Sequence, residues 1–223
     1  RTHRRRNLEG LRMILVYSYK RTPRVIYAMR QVFQELLGVS VELTAEVAEF
    51  IEHKGPKLSY APRPLGKELH FRNSELLFET GINEWDIKVG EYEGIPTLFP
   101  VPDHSEVPFD PFAATFYLLT RYEEYLPHIK DKHERFSAES SIAYKAGFLQ
   151  RPVVDEWSLL LKEIVSDRFP EFEWPKRSFE FINTIDIDNA YAYKAKGLMR
   201  TLGGLARSMA EFKGREFWDR LLV

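Results

Sequence analysis

The period of the apolar positions changes several times along the chain, and each change predicts an element. Met13-Ile14-Leu15-Val16-Tyr17 is an unbroken apolar run of strand length, closed by Ser18-Tyr19-Lys20-Arg21. Thr22-Pro23 then supplies a cap and a proline for the first helical position. Val25, Ile26, Met29, Val32, Phe33, Leu36 and Leu37 follow at helical spacing as far as Gly38. Val39, Val41 and Leu43 alternate as a second strand, and a second helical stretch through Val47, Phe50 and Ile51 ends near Gly55-Pro56. Strand, helix, strand, helix is the order of an α/β unit with a parallel strand pair.

From Pro56 to Pro108 the pattern breaks into short apolar pieces separated by Gly and Pro: Leu69-His70-Phe71, Leu76-Leu77-Phe78 and Ile95-Pro96-Thr97-Leu98-Phe99. Hairpins and irregular strands are expected there, which makes the sheet mixed. Asp110-Pro111 opens a helix that carries Phe112, Phe116 and Leu119 and continues through Arg121-Tyr122-Glu123-Glu124-Tyr125 to a stop at Pro127. Residues 130–147 are polar and read as loop. Pro152 starts an amphipathic helix through Val153, Trp157, Leu160, Leu161, Ile164 and Val165, with Pro170 beyond its end. After Pro175-Lys176-Arg177, the run from Phe179 to Asp188 reads as a new strand, so a domain boundary falls there. The organisation expected is residues 1–12 as leader or appended sequence, 13–175 as an N-terminal α/β domain, and 178–223 as the start of a further domain. The last residues, Trp218 to Val223, lie inside an apolar-periodic segment with no stop signal, which suggests that the chain continues.

Composition narrows the function classes. In 223 residues, 44% are hydrophobic and 29% charged, which fits a globular protein and not a disordered one. The 32 basic and 33 acidic side chains leave a net charge of -1, so no global field draws the chain to nucleic acid. With 0 cysteines there is no disulfide and no thiolate, leaving oxygen and imidazole as the strong metal ligands. No apolar run approaches the roughly 20 residues of a transmembrane helix, so no integral membrane segment is expected. Met13 is followed by too short an apolar run for a secretory signal, and a cytoplasmic location is the expectation.

The sharpest chemical signal is Thr184-Ile185-Asp186-Ile187-Asp188. In an extended strand its two carboxylates, at i and i+2, share one face. Residues leaving the carboxyl end of a parallel strand line active sites in open and barrel-shaped sheets. Two close carboxylates share a proton or a cation, so one Asp can bind a divalent metal while the other takes a proton from metal-bound water. An Asp at a strand end is equally often a helix cap or turn residue. As chemistry, the pair fits metal-dependent deacetylation, aspartyl-phosphate formation in haloacid-dehalogenase-like phosphatases, or metal-nucleotide binding in glycosyltransferases.

The segment Asn183 to Tyr191, with Lys196 to Gly204 behind it, resembles the opening catalytic motif of a subgroup of polysaccharide deacetylase family proteins of the carbohydrate esterase family 4 type. The upstream blocks Pro108 to Pro127, Asp131-Lys132-His133-Glu134-Arg135-Phe136 and Gly147 to Trp157 resemble the α/β domain that precedes the deacetylase module in that subgroup. The resemblance implies that residues 178–223 open a (β/α)-barrel-like deacetylase domain, with Asp186 as general base and Asp188 as a ligand of a divalent metal such as zinc. The substrate would be an acetylated glycan, whose acetyl carbonyl the metal polarises for attack by metal-bound water. The family also takes two metal-binding histidines from a downstream His-x-x-x-His motif. This sequence has no histidine after His133, and the stretch after Asp188 is far shorter than the roughly 200 residues a barrel needs. The chain by itself is therefore expected to lack a complete active site.

Two alternatives stand beside this reading. A haloacid-dehalogenase-like phosphatase would use Asp186 as nucleophile and Asp188 as acid/base, and a non-catalytic module would recognise a glycan or a protein through residues 13–175. Of the other candidates, His128 and His133 would lie about 140° apart on a helix, which suits surface loop positions better than joint ligation. Arg121, Glu123 and Glu124 form either a binding cluster or a salt-bridged helix end. Tyr17 and Tyr19 sit where an α/β domain binds ligands, but Ser18 to Thr22 holds no glycine for a phosphate cradle. The tail from Lys194 is locally basic, and Leu198, Leu202, Leu205, Met209 and Phe212 form a helical stripe that fits the first helix or lid of a catalytic domain.

Overall fold

A computed structural model describes residues 13–176, 179 and 181–186. The chain divides into two units, Arg1–Lys176 and Arg177–Val223. In the first unit β1 (Met13–Tyr17) leads to helix α1 (Pro23–Met29), which continues as a π-helix over Arg30–Leu36. The Thr22 side chain accepts from the Val25 N–H at 3.1 Å, and Pro23 occupies the first turn, as the cap signal predicts. Widening to i+5 bonds, among them Leu37 N–H to the Val32 carbonyl at 3.1 Å, closes this helix, and Gly38 follows in the left-handed region at φ 72.

The chain then forms β2 (Ser40–Thr44), α2 (Val47–Glu52), β3 (Lys57–Ala61) and β4 (Leu69–Arg72). The sheet order is β2-β1-β3-β4 and every pairing is parallel, with Val16 opposite Leu43 on one side and Leu58 on the other. A separate antiparallel hairpin joins β5 (Val89–Tyr92) to β6 (Ile95–Leu98). The single mixed sheet expected from the sequence is thus two sheets, one wholly parallel and one antiparallel. Of the pieces read as hairpins, only Ile95–Leu98 is one. Leu69-His70-Phe71 belongs to the parallel sheet, and the Leu76 piece is a 3₁₀ turn over Glu75–Leu77.

Alternation assigns the two faces of the parallel sheet. Ile14, Val16, Leu58, Tyr60, Leu69 and Phe71 enter the main core with the inner faces of α1, α3 (Pro111–Leu119) and α5 (Val153–Arg168). Leu15, Tyr17 and Ala61 pack on the opposite face with Phe50 of α2. The hairpin is fastened to this body by Trp157, whose indole N–H donates to the Pro96 carbonyl at 2.8 Å.

The helix expected to run from Asp110 to Pro127 is broken. It ends at Leu119, Thr120 bonds back through its hydroxyl to the Phe116 carbonyl, and Arg121 takes φ 53 and ψ 44. A 3₁₀ turn over Tyr122–Tyr125 follows. The expected loop of residues 130–147 contains a 3₁₀ turn at Ala138–Ser140 and the short helix α4 (Ile142–Lys145). Among the described residues no helix is long and apolar enough to cross a membrane.

In the second unit, the described part of the predicted strand Phe179 to Asp188 has no regular structure. Phe179, Phe181 and Ile185 are exposed there.

Candidate functional site

The carboxyl ends of the parallel strands were one predicted location for a site, and the strand order reverses direction between β1 and β3. The loop after β1 is occupied with structure. The Ser18 N–H donates to the Thr44 carbonyl at 2.9 Å, the Ser18 hydroxyl to the Lys20 carbonyl, and the Thr22 hydroxyl to the Leu77 carbonyl while it caps α1. Tyr19 lies stacked on Phe78 with ring centroids 4.5 Å apart. Burial and the Glu75 carboxylate push its phenol up, against the pull of the Asn73 amide.

Beside this mouth, Asp110 is fully buried and caps α3. Its Oδ1 accepts from the Phe112 and Ala113 N–H groups at 3.1 and 3.0 Å, and its Oδ2 from the Ser74 N–H at 2.6 Å and the Tyr60 hydroxyl at 2.7 Å. Burial pushes the carboxyl up while these donors pull it back. Every lone pair is engaged inside the protein, so the group is a structural clasp and not a reactive acid. A second polar cluster lies between β3 and β4. The Ser59 hydroxyl donates to Glu68 Oε1 at 2.7 Å and lies 2.8 Å from His70 Nδ1. Its one hydrogen is committed to Glu68, so Nδ1–H of His70 donates to Ser59 and Nε2 is left as a buried acceptor with no partner.

A broad concavity lies elsewhere among the described residues, mostly in a stretch the sequence presents only as polar loop. It has a volume of about 1220 Å³ and is lined by Arg121, Glu124, His128 and residues 130–139. Its frame is built from short-range pairs. Arg121 is ion-paired with Glu124, and Arg135 with Asp131 at 3.1 Å. Asp131 Oδ1 also accepts from the N–H groups of His133 and Arg135 at 2.7 and 3.0 Å, and these bonds hold its carboxyl below the usual range. Lys130 and Phe136 form an antiparallel bridge, and Glu123 accepts from the Ile142 N–H at 2.7 Å, which ties the turn after Arg121 to α4. Of the two readings of Arg121, Glu123 and Glu124, the salt-bridged helix end holds for Arg121 and Glu124, which pair just past the end of α3, while Glu123 is used on the Ile142 N–H.

His128 and His133 both line the cleft. His128 donates from Nδ1 to the Leu126 carbonyl at 2.8 Å and lies edge-to-face with Phe136. Among the described residues no group of three or more His, Asp or Glu side chains could hold a metal ion. The described residues therefore do not by themselves provide the site for zinc that the family resemblance implies. Asp186 is exposed and makes no hydrogen bond or ion pair among the described residues. Asp188, like the tail from Lys194, lies outside the described residues.

The sequence model of a family of unknown function, DUF7033, matches residues 14–170. No curated protein matches, and no solved structure does.

Proposed function

For a chain that belongs, through residues 14–170, to the DUF7033 family of unknown function, we propose the role of N-terminal part of a metal-dependent carbohydrate deacetylase. The observation that carries this reading is the place of the acidic motif. The family domain ends at residue 170, a separate unit begins at Arg177, and Asp186-Ile187-Asp188 follows within that unit. In this reading Asp186 is the general base and Asp188 a ligand of a divalent metal such as zinc, with further ligands from outside the described residues. The DUF7033 domain is then the accessory part, and the substrate is an acetylated glycan.

The test uses the intact protein that carries this chain, supplied with zinc and offered N-acetylated and O-acetylated oligosaccharides, with released acetate as the readout. Acetate release that falls at least about a hundredfold in Asp186→Asn and in Asp188→Asn supports the reading. No acetate from any of these substrates, or phosphate release from a phosphomonoester that depends on Asp186, overturns it. The second result would mark a haloacid-dehalogenase-like phosphatase.

A further inference from the structure

We propose that the cleft of residues 121–139 is a binding site for a neutral oligosaccharide on the DUF7033 domain itself. The choice among hydroxyl-rich ligands rests on the deacetylase reading. The site rests on its own geometry.

The lining excludes other ligand classes. Four basic side chains, Arg121, Lys130, Lys132 and Arg135, face four acidic ones, Glu124, Asp131, Glu134 and Glu139, so the cleft has no net field for a polyanion or a polycation. It provides no cation site among the described residues. Its charged walls are unsuited to an apolar ligand, whose burial would strip water from those groups without return. A ligand that presents many neutral donors and acceptors meets both kinds of wall group at once.

The division of labour within the lining fits such a ligand. Arg121, Glu124, Asp131 and Arg135 are used up in mutual ion pairs and hold the loop in shape. Lys132, His133, Glu134 and Glu139 make no side-chain hydrogen bond or ion pair among the described residues, and they offer donors and acceptors of both signs. His128 is fixed through Nδ1–H, so its Nε2 is a further acceptor. The ring of Phe136, placed against His128, adds an apolar face of the kind on which the C–H side of a sugar ring can rest. At about 1220 Å³ the cleft exceeds the volume that encloses a drug-sized molecule, and it is large enough for several sugar units. Backbone in the left-handed region at two non-glycine residues of the rim, Arg121 at φ 53 and Glu134 at φ 60, marks a loop held in a costly shape by its surroundings.

The experiment titrates the isotope-labelled 223-residue chain with cellohexaose, chitohexaose, xylohexaose and mannohexaose and follows backbone amide shifts. At least one hexasaccharide should shift the amides of residues 128–139. The double variant Lys132→Ala/Glu139→Ala, which removes two exposed and unpaired wall groups, should weaken that binding about tenfold with Tm unchanged. Failure of all four sugars to move these amides, or unchanged affinity in the double variant, overturns the inference. Acetate release by the intact protein is scored separately. Binding in the cleft without acetate release leaves this site standing and removes the deacetylase reading, and acetate release without cleft binding does the reverse.

Discussion

The Tyr60 hydroxyl donates to Oδ2 of Asp110 across 2.7 Å, and neither residue has any exposed surface. The bond links the middle of the parallel sheet to the first turn of α3, residues fifty apart in the chain. Through the same carboxylate, the turn after β4 is tied in by the Ser74 N–H.

Asp110→Ala should therefore be among the most destabilising single changes in the domain. It removes a helix cap, at about 0.5–2 kcal/mol, and leaves a buried hydroxyl, at about 1–3 kcal/mol, and a half-buried N–H, at the low end of that range, without an acceptor. A loss of about 3–5 kcal/mol in urea unfolding is expected. A loss under about 1 kcal/mol would mean that the clasp is not structural.

Stability should fall as the medium is acidified below the ordinary histidine range. Burial lowers the pKa of His70, helped by Arg72 and His104 and opposed by Glu68. Burial and Lys57 lower that of His53. A folded-state pKa below the unfolded one means that the unfolded chain takes up the proton first. The contribution of the neutral rings is complete above about pH 6.5 and is lost as pH falls from there toward the depressed folded values. His70→Gln should flatten the stability profile in that interval, and an unchanged slope would exclude His70 as its source.

Trp157→Phe keeps an aromatic ring in the core but deletes the N–H that holds the Pro96 carbonyl. A two-stranded hairpin is marginal by itself, so amides of Val89–Leu98 should lose hydrogen-exchange protection well before those of β1 and β3. Equal loss in the hairpin and the parallel sheet would show that Trp157 acts on the whole core and not as a latch.

At Arg121 the left-handed backbone should decide more than the ion pair. Arg121→Gly gives up an exposed pair with Glu124 worth about 0–1 kcal/mol and gains a residue at ease with positive φ. Arg121→Val places a β-branched side chain where it is a steric outlier. Calorimetry should rank the glycine variant above the valine variant by at least about 1 kcal/mol. The reverse order would refute the backbone argument.

Elements with a long period or a cap were legible. Thr22-Pro23 and Asp110-Pro111 announce their helices, and Met13–Tyr17 reads directly as a strand. What the sequence hid was the central strand β3, Lys57-Leu58-Ser59-Tyr60-Ala61, which lacks β-branched residues. Its polar-looking Ser59 is fully buried because Glu68 and His70 satisfy it from the neighbouring strand and loop, a partnership invisible to local pattern. The break at Arg121 was equally hidden, since Tyr-Glu-Glu-Tyr has ordinary helical character and arginine carries no mark of positive φ. The cleft left one trace, a polar stretch too long for a plain connection. Its shape depends on Asp131 and Glu123 reaching backbone groups, which no spacing rule encodes.

Gly38 has a bearing on the far end of the domain. A methyl group built on its α-carbon would stand 3.1 Å from Cγ of Pro175. The bare backbone at the end of the first helix is thus the seat against which the departing polypeptide rests before the junction. Bulk introduced at residue 38 would press on Pro175 as well as strain a backbone held at positive φ, so this one position couples the end of the first helix to the last residues of the domain.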